Sequence, residues 1–185
     1  TLLLTFFLKV VADILNLASS RADLPEEFHG VFDPDAYRKS QEYLRATTGF
    51  SIAEAAFGLA VLLVFWFAGG FELLDRFFRG FGFGALPTGL LYIGSILLLQ
   101  AVEGFPFTLY RTFVIEERFG FNKTTPAVFA ADTVKSLLLA LLLGVPALAL
   151  LLSFFAYAGD SAWLWAWGVF VLLTLMLQYV APAWI

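Results

Sequence analysis

Apolar residues run along this chain in blocks too long for the buried stripe of a soluble helix. A helix needs roughly 20 mainly apolar residues to cross about 30 Å of hydrocarbon. Five blocks approach that length: 1–18, 50–71, 86–109, 134–157 and 162–185. The second, fourth and fifth are the cleanest, whereas the first carries Lys9 and Asp13 and the third carries Glu103. Between them, 19–49 is a long polar loop, 110–133 a medium one, and 72–85 a shorter loop rich in Gly and Phe. AGDS at 158–161 leaves room only for a tight turn. The pattern predicts an all-α fold, a polytopic helical membrane domain with about five transmembrane helices, occupying 1–185 as one N-terminal transmembrane domain.

Local signals place the helix ends. Asp33-Pro34 offers an N-cap followed by Pro at the first helical position, so DAYRKSQEYLRAT should be a polar helix at or below the membrane interface. Ser51 with Glu54 has the spacing of a capping box at the start of the second span. Thr125-Pro126 repeats the cap-then-Pro arrangement before the fourth. Gly80, Gly82 and Gly84 should interrupt helix between the second and third spans.

Composition agrees with a lipid solvent. Hydrophobic residues make up 61% and charged residues 14%, against about 45–50% and 25% in soluble domains. A soluble fold could not cover so much apolar surface. There is no Cys and a single His, His29. That excludes thiolate catalysis and any zinc site needing several Cys or His ligands in this chain. The net charge of −4 gives no case for nucleic acid. The chain starts at Thr1 and ends inside an apolar run at Ile185, and both ends look cut, as in a piece of a longer protein or a chain trimmed of disordered termini.

Basic residues set an orientation. Arg21, Arg38, Lys39 and Arg45 lie in the first polar loop, and Arg111, Arg118, Lys123 and Lys135 in or beside the third. The 72–85 loop holds only Arg76 and Arg79. The bias expects the first and third loops in the cytoplasm, the N-terminus outside and the C-terminus inside. Tyr157, Trp163, Trp165 and Trp167 would mark the outer interface, Tyr179 and Trp184 the inner one.

Ionisable groups within spans are costly and usually face protein or water. Lys9 and Asp13 are four apart on one helix face and read most simply as a buried, mutually neutralising pair. Glu54 reads as the capping-box carboxylate, and Asp132 with Lys135 as an interfacial pair. Glu103 has no partner in its own span and is the candidate for a water-lined cavity. His29, near Glu26 and Glu27, reads as a solvated loop residue. GFGFG at 80–84 lacks the Lys-Ser/Thr and preceding strand of a phosphate loop. HExxH, GxSxG and Cys–His arrangements are absent, so no catalytic, cofactor-binding or metal-binding residue is assigned.

The most specific stretch is Phe113-Val114-Ile115-Glu116-Glu117-Arg118-Phe119-Gly120-Phe121-Asn122-Lys123-Thr124-Thr125, followed by Asp132 and Lys135. It resembles the N-terminal membrane domain of the type I CAAX prenyl proteases, with Asp35, Tyr37, Lys39, Ser40 and Tyr43 of the first loop similar as well. The resemblance covers essentially the whole chain. It implies a barrel of seven long helices around a water-filled chamber. In the full-length family, zinc is held by an HExxH helix and a downstream Glu, and the HExxH Glu activates the zinc-bound water. Those parts follow the fifth span, so no cofactor is expected in this chain, and the C-terminal zinc protease domain of the same protein is its implied partner. The implied substrates are prenylated proteins or other membrane proteins. The implied location is a bacterial inner membrane, or the endoplasmic reticulum in a eukaryote. Within the loop, Glu116, Glu117 and Asn122 read as ordering the turn rather than touching substrate. The alternatives are a non-enzymatic membrane scaffold or a transporter piece, or a relative that has lost its protease half. No internal repeat supports the transporter.

Reading the gene past Ile185 should reveal an HExxH within roughly 100 residues, opening a further helix. The isolated chain should bind no stoichiometric zinc and cleave no farnesylated peptide. Metal analysis and a peptide assay check this, and either activity in the fragment would show the site to be misplaced.

Overall fold

The structure, a computed structural model, describes residues 1–20, 30 and 33–184, with side chains through 172 and at 174, 175, 178 and 179. Arg21, Glu26, Glu27 and His29 lie outside the described residues, as does the Trp184 side chain. Helices α1 (Leu2–Ser19), α2 (Pro34–Phe67), α3 (Gly70–Arg79) and α4 (Ala85–Tyr110) come first. A π-helical turn at Arg111–Glu116 carries α4 into the short α5 (Glu117–Phe119). Then follow α6 (Pro126–Leu139), a second π turn at Ala140–Gly144, α7 (Val145–Ala158), a single 3-10 turn at Gly159–Ser161 and α8 (Ala162–Trp184). Among the described residues there is no strand, and four helical stretches are long and apolar enough to cross a membrane. The last, Pro126–Leu172, contains the Gly159–Ser161 turn, which divides it into two helices that pack on each other. The fold is the expected all-α membrane domain.

The chain is inside out by the standard of a soluble protein. Among the described residues, the only buried apolar ones are Ile115, Phe119 and Ala162, while Val64, Phe67, Leu142, Leu150 and Phe170 lie open on their helices. With lipid as solvent this is the expected distribution. Every backbone polar group must then be satisfied within a helix.

Several expected boundaries move. Asp33 does cap α2, accepting from the Asp35 N–H at 3.1 Å, with Pro34 in the first turn. However, α2 runs unbroken for 34 residues, so the polar helix and second span are one rod. At 1.5 Å per residue it is about 51 Å long, and its charged first half extends beyond the hydrocarbon. Gly49 costs this helix only about 1 kcal/mol, too little to break it. Ser51 and Glu54 therefore do not form a capping box at a helix start, because both lie in the helix interior.

The 72–85 segment is not simply a loop, since α3 fills its first part. Gly69 turns the chain at φ 73°, and Glu72 pairs with Arg76 one turn on at 2.7 Å. Phe71, Leu73, Leu74, Phe77 and Phe78 fall on one face of α3, and Glu72, Asp75, Arg76 and Arg79 on the other. Similarly, the 110–133 connector reduces to 120–125, because helix continues to Phe119 and resumes at Pro126. There Thr125 accepts from the Val128 N–H at 3.3 Å, as its cap-then-Pro sequence predicts.

The chain forms two compact units, Thr1–Arg76 with Ser95–Phe129, and Phe77–Gly94 with Ala130–Ile185. In the second unit, a Cβ at Gly89 would stand 3.1 Å from the Leu152 side chain, so this glycine lets α4 approach α7 closely. The Ala140–Gly144 π turn ends two residues before Pro146, whose ring nitrogen has no hydrogen to donate. Asp132 and Lys135 approach to 3.5 Å, both exposed.

In the first unit, α1 packs on α2. Arg45 donates to the Ser20 carbonyl at the end of α1, at 3.2 Å. Lys9 and Asp13 do pair, at 2.7 Å, but the pair is on the open face of α1 rather than buried. The firmest packing is where the helix ends at Phe119. Phe119 is 4% exposed, and its ring meets the Tyr43 ring of α2 edge-on at 5.3 Å. Phe121 meets the same ring at 4.8 Å from the exposed side.

Replacing Phe119 by Ala should cost about 3–5 kcal/mol, the usual loss for a buried Phe. Phe121→Ala, at a position 55% exposed, should cost about 1 kcal/mol. Thermal unfolding in detergent ranks them, and a larger loss for Phe121 would contradict the packing described.

Candidate functional site

The site is built where the end of the α4 segment lies along α2, within the first unit. Gly120 takes the left-handed conformation, φ 74°, that stops the helix. The Phe121 N–H donates to the Glu116 carbonyl at 2.9 Å and the Gly120 N–H to the Glu117 carbonyl at 3.0 Å. This paired closure satisfies the last carbonyls of the helix. Asn122 then ties the loop twice. Its amide donates to the Glu117 carboxylate at 3.0 Å, and its oxygen accepts from the Thr124 N–H at 2.7 Å. Glu117 and Asn122 thus order the turn with their side chains, and Glu116 with its carbonyl.

Lys39 of α2 stands over the Phe121 ring at 5.9 Å, and Arg118 over Phe119 at 5.6 Å. The two stretches most distinctive in sequence, around Lys39–Tyr43 and Phe119–Asn122, are therefore in contact. Among the described residues the Lys123 side chain makes no hydrogen bond or ion pair, and the Thr124 contribution is its backbone N–H.

About three turns further along α2 from Tyr43 lies a charge pair that sequence reasoning missed. The Arg111 guanidinium, in the π turn, donates to the Glu54 carboxylate, reaches the Ser51 hydroxyl at 3.5 Å, and sits 5.8 Å from the Phe50 ring. Glu54 is thus the counter-ion of Arg111 and not a cap. The available signal was opposite charges at the same end of two consecutive, antiparallel spans. Aromatic rings continue the seam: Phe50 on Tyr110 at 5.0 Å, and Phe57 on Phe107 at 5.3 Å.

Beyond the seam, α2 and α4 part around a cavity of about 790 Å³. Its walls are mainly apolar, with Leu62, Phe65, Ile96 and Phe107 among them, and its polar side chains are Glu54, Gln100 and Glu103. Glu103 lines it, half-buried. Gly58, without a side chain, lets it come close to α2: a Cβ there would lie 3.1 Å from the Glu103 carboxylate oxygen. Glu103 makes no hydrogen bond or ion pair among the described residues. Asp132, Lys135, Lys9 and Asp13 do not line this cavity.

A zinc ion would need three or four converging donors. Among the described residues no three His, Cys, Asp or Glu side chains come together in that way, so these residues do not fit the metal.

Comparison with known proteins gives the geometry its context. The family model described as CAAX prenyl protease N-terminal, five membrane helices, matches residues 13–185. The chain is 31% identical over 164 residues to the probable CAAX prenyl protease 1 of Schizosaccharomyces pombe, covering 82% of this chain and 35% of that protein. It is 30% identical to the human CAAX prenyl protease 1 homolog, covering 86% and 36%. The chain therefore spans about a third of the length of such relatives. A crystal structure of S. mikatae Ste24p superposes with a TM-score of 0.83 at 25% identity, covering 98% of this chain and 43% of that one. With the match running over residues 13–185, this chain belongs to the CAAX prenyl protease N-terminal family of membrane domains.

Proposed function

We propose that this chain is the N-terminal membrane domain of a zinc metalloendopeptidase of the CAAX prenyl protease type. In this reading it walls part of an intramembrane chamber and presents the polar stretches within 19–49 and 110–133, which include the start of α2 and the turn at 120–125, to the cytoplasm. The zinc, the HExxH helix and the proton transfers belong to a C-terminal protease domain of the same protein, and the substrates are prenylated or other membrane proteins.

The observation that carries the reading is the cavity between α2 and α4, with apolar walls and the Glu54, Gln100 and Glu103 side chains at its edge. An apolar chain needs such walls, and a peptide needs polar groups that compete with water beside them. The ordered loop from Phe119 to Thr124 supports it, since it fixes the Arg111 end of the cavity against α2. In the full-length protein, Gly58→Leu should fill the cavity and lower cleavage of a farnesylated CAAX peptide about tenfold, equivalent to about 1.4 kcal/mol of lost binding. Unchanged cleavage by a folded variant would remove the chamber role from this wall.

The orientation proposed is N-terminus outside and C-terminus cytoplasmic, in a bacterial inner membrane or the endoplasmic reticulum. The loop charges support it. The chain has no Cys, so single cysteines report topology without background. Lys123→Cys should react with a membrane-impermeant maleimide from the cytoplasmic side only, and Asp160→Cys from the other side only. The reverse pattern would invert the orientation.

A further inference from the structure

We propose that the cavity between α2 and α4 binds a cationic amphiphile, a primary alkylammonium, with its chain against the apolar walls and the Glu103 carboxylate as its counter-ion. The inference goes beyond the protease reading and involves neither zinc nor cleavage.

Two carboxylates edge this cavity, and they differ in one respect. Glu54 is neutralised by Arg111. Glu103, half-buried among apolar side chains, has no cation beside it among the described residues. A carboxylate withdrawn from water is stabilised by an opposite charge that brings its own hydrogen-bond donors. A primary ammonium supplies both. The absent side chain at Gly58 leaves the carboxylate room on the α2 side, where a Cβ would stand 3.1 Å from its oxygen. The cavity's volume of about 790 Å³ lies within the roughly 300–1,000 Å³ of small-molecule sites. Its apolar lining, with Leu62, Phe65 and Ile96, suits an unbranched chain. An anionic head group would meet a like charge at Glu103, and a neutral one would leave the carboxylate without a counter-ion.

The test uses the whole chain in uncharged maltoside micelles, with radiolabelled dodecylamine, dodecanol and dodecanoate as probes. Dodecylamine should bind about tenfold more tightly than dodecanol, and dodecanoate more weakly than either. Glu103→Gln, nearly the same size, should abolish the preference for the amine over the alcohol, and Glu103→Asp should keep part of it. Gly58→Leu should weaken both amine and alcohol by filling the space. A folded Glu103→Gln protein that retains the amine preference overturns the proposal, as does dodecanoate binding as tightly as dodecylamine. Lysophosphatidylethanolamine against lysophosphatidylglycerol of equal chain length separates the sources. A Glu103-dependent preference for the first assigns a lipid head group, and no preference, with amine binding intact, assigns a free amine. Since no cleavage is measured, failure here leaves the protease reading standing. An inactive protease half would equally leave this result unchanged.

Discussion

Phe119 and Phe121 lie against Tyr43, and the arrangement of the first unit follows from that contact. Lipid offers helices little reason to prefer one another, because a lipid tail is as apolar as a Leu side chain. Packing specificity must come from close contacts, polar pairs and caps. Here a buried Phe, a left-handed glycine and a twice-bonded Asn close one helix onto the charged half of another. With that end held, Arg111 reaches Glu54, the Phe50, Phe57, Phe107 and Tyr110 rings form a seam, and the helices can part beyond it without separating.

The π turn at Arg111–Glu116 belongs to the same logic. A π turn carries one more residue than an α turn, so it changes the direction in which later side chains leave the helix. Arg111 meets α2, Ile115 is buried, and Phe119 meets α2 again. Pro106 removes one donor from the preceding helix, and the wider turn follows shortly after it. A segment both spanning and reaching out of the membrane thus keeps one face on its neighbour.

Much of this was legible in the sequence, and the part that was not has a common physical origin. Local chemistry read correctly: the Asp33 and Thr125 caps, the break at Gly80–Gly84, and the tight turn after Ala158 depend on residues within a turn of each other. Pairs on one helix, Lys9 with Asp13 and Asp132 with Lys135, also read correctly as pairs. Hydropathy, however, reports where lipid ends and not where a helix ends. It therefore split the continuous α2 at residue 50 and missed the amphipathic α3, whose alternating charges look like loop. The Glu54 partner was missed because it lies 57 residues away, beyond any periodicity within one element. Glu103 stood out in the sequence for the opposite reason, since it has no partner in its own helix, and among the described residues it has none elsewhere.

That difference between two carboxylates separates a packing element from a site. Glu54 and Arg111 together cost the fold little, because each cancels the other's charge and their hydrogen bond replaces water. Such a pair fixes two helices and has little left to offer a ligand. Glu103 has no comparable partner among the described residues and stands at the edge of an apolar space. Gly58, where any side chain would crowd the carboxylate, keeps that space open toward α2. The aromatic closure at Tyr43, the charge pair three turns along α2 and Glu103 beyond it, which has no partner among the described residues, therefore form a graded series along one helix interface. Affinity for something outside the chain is concentrated where the interface stops satisfying itself.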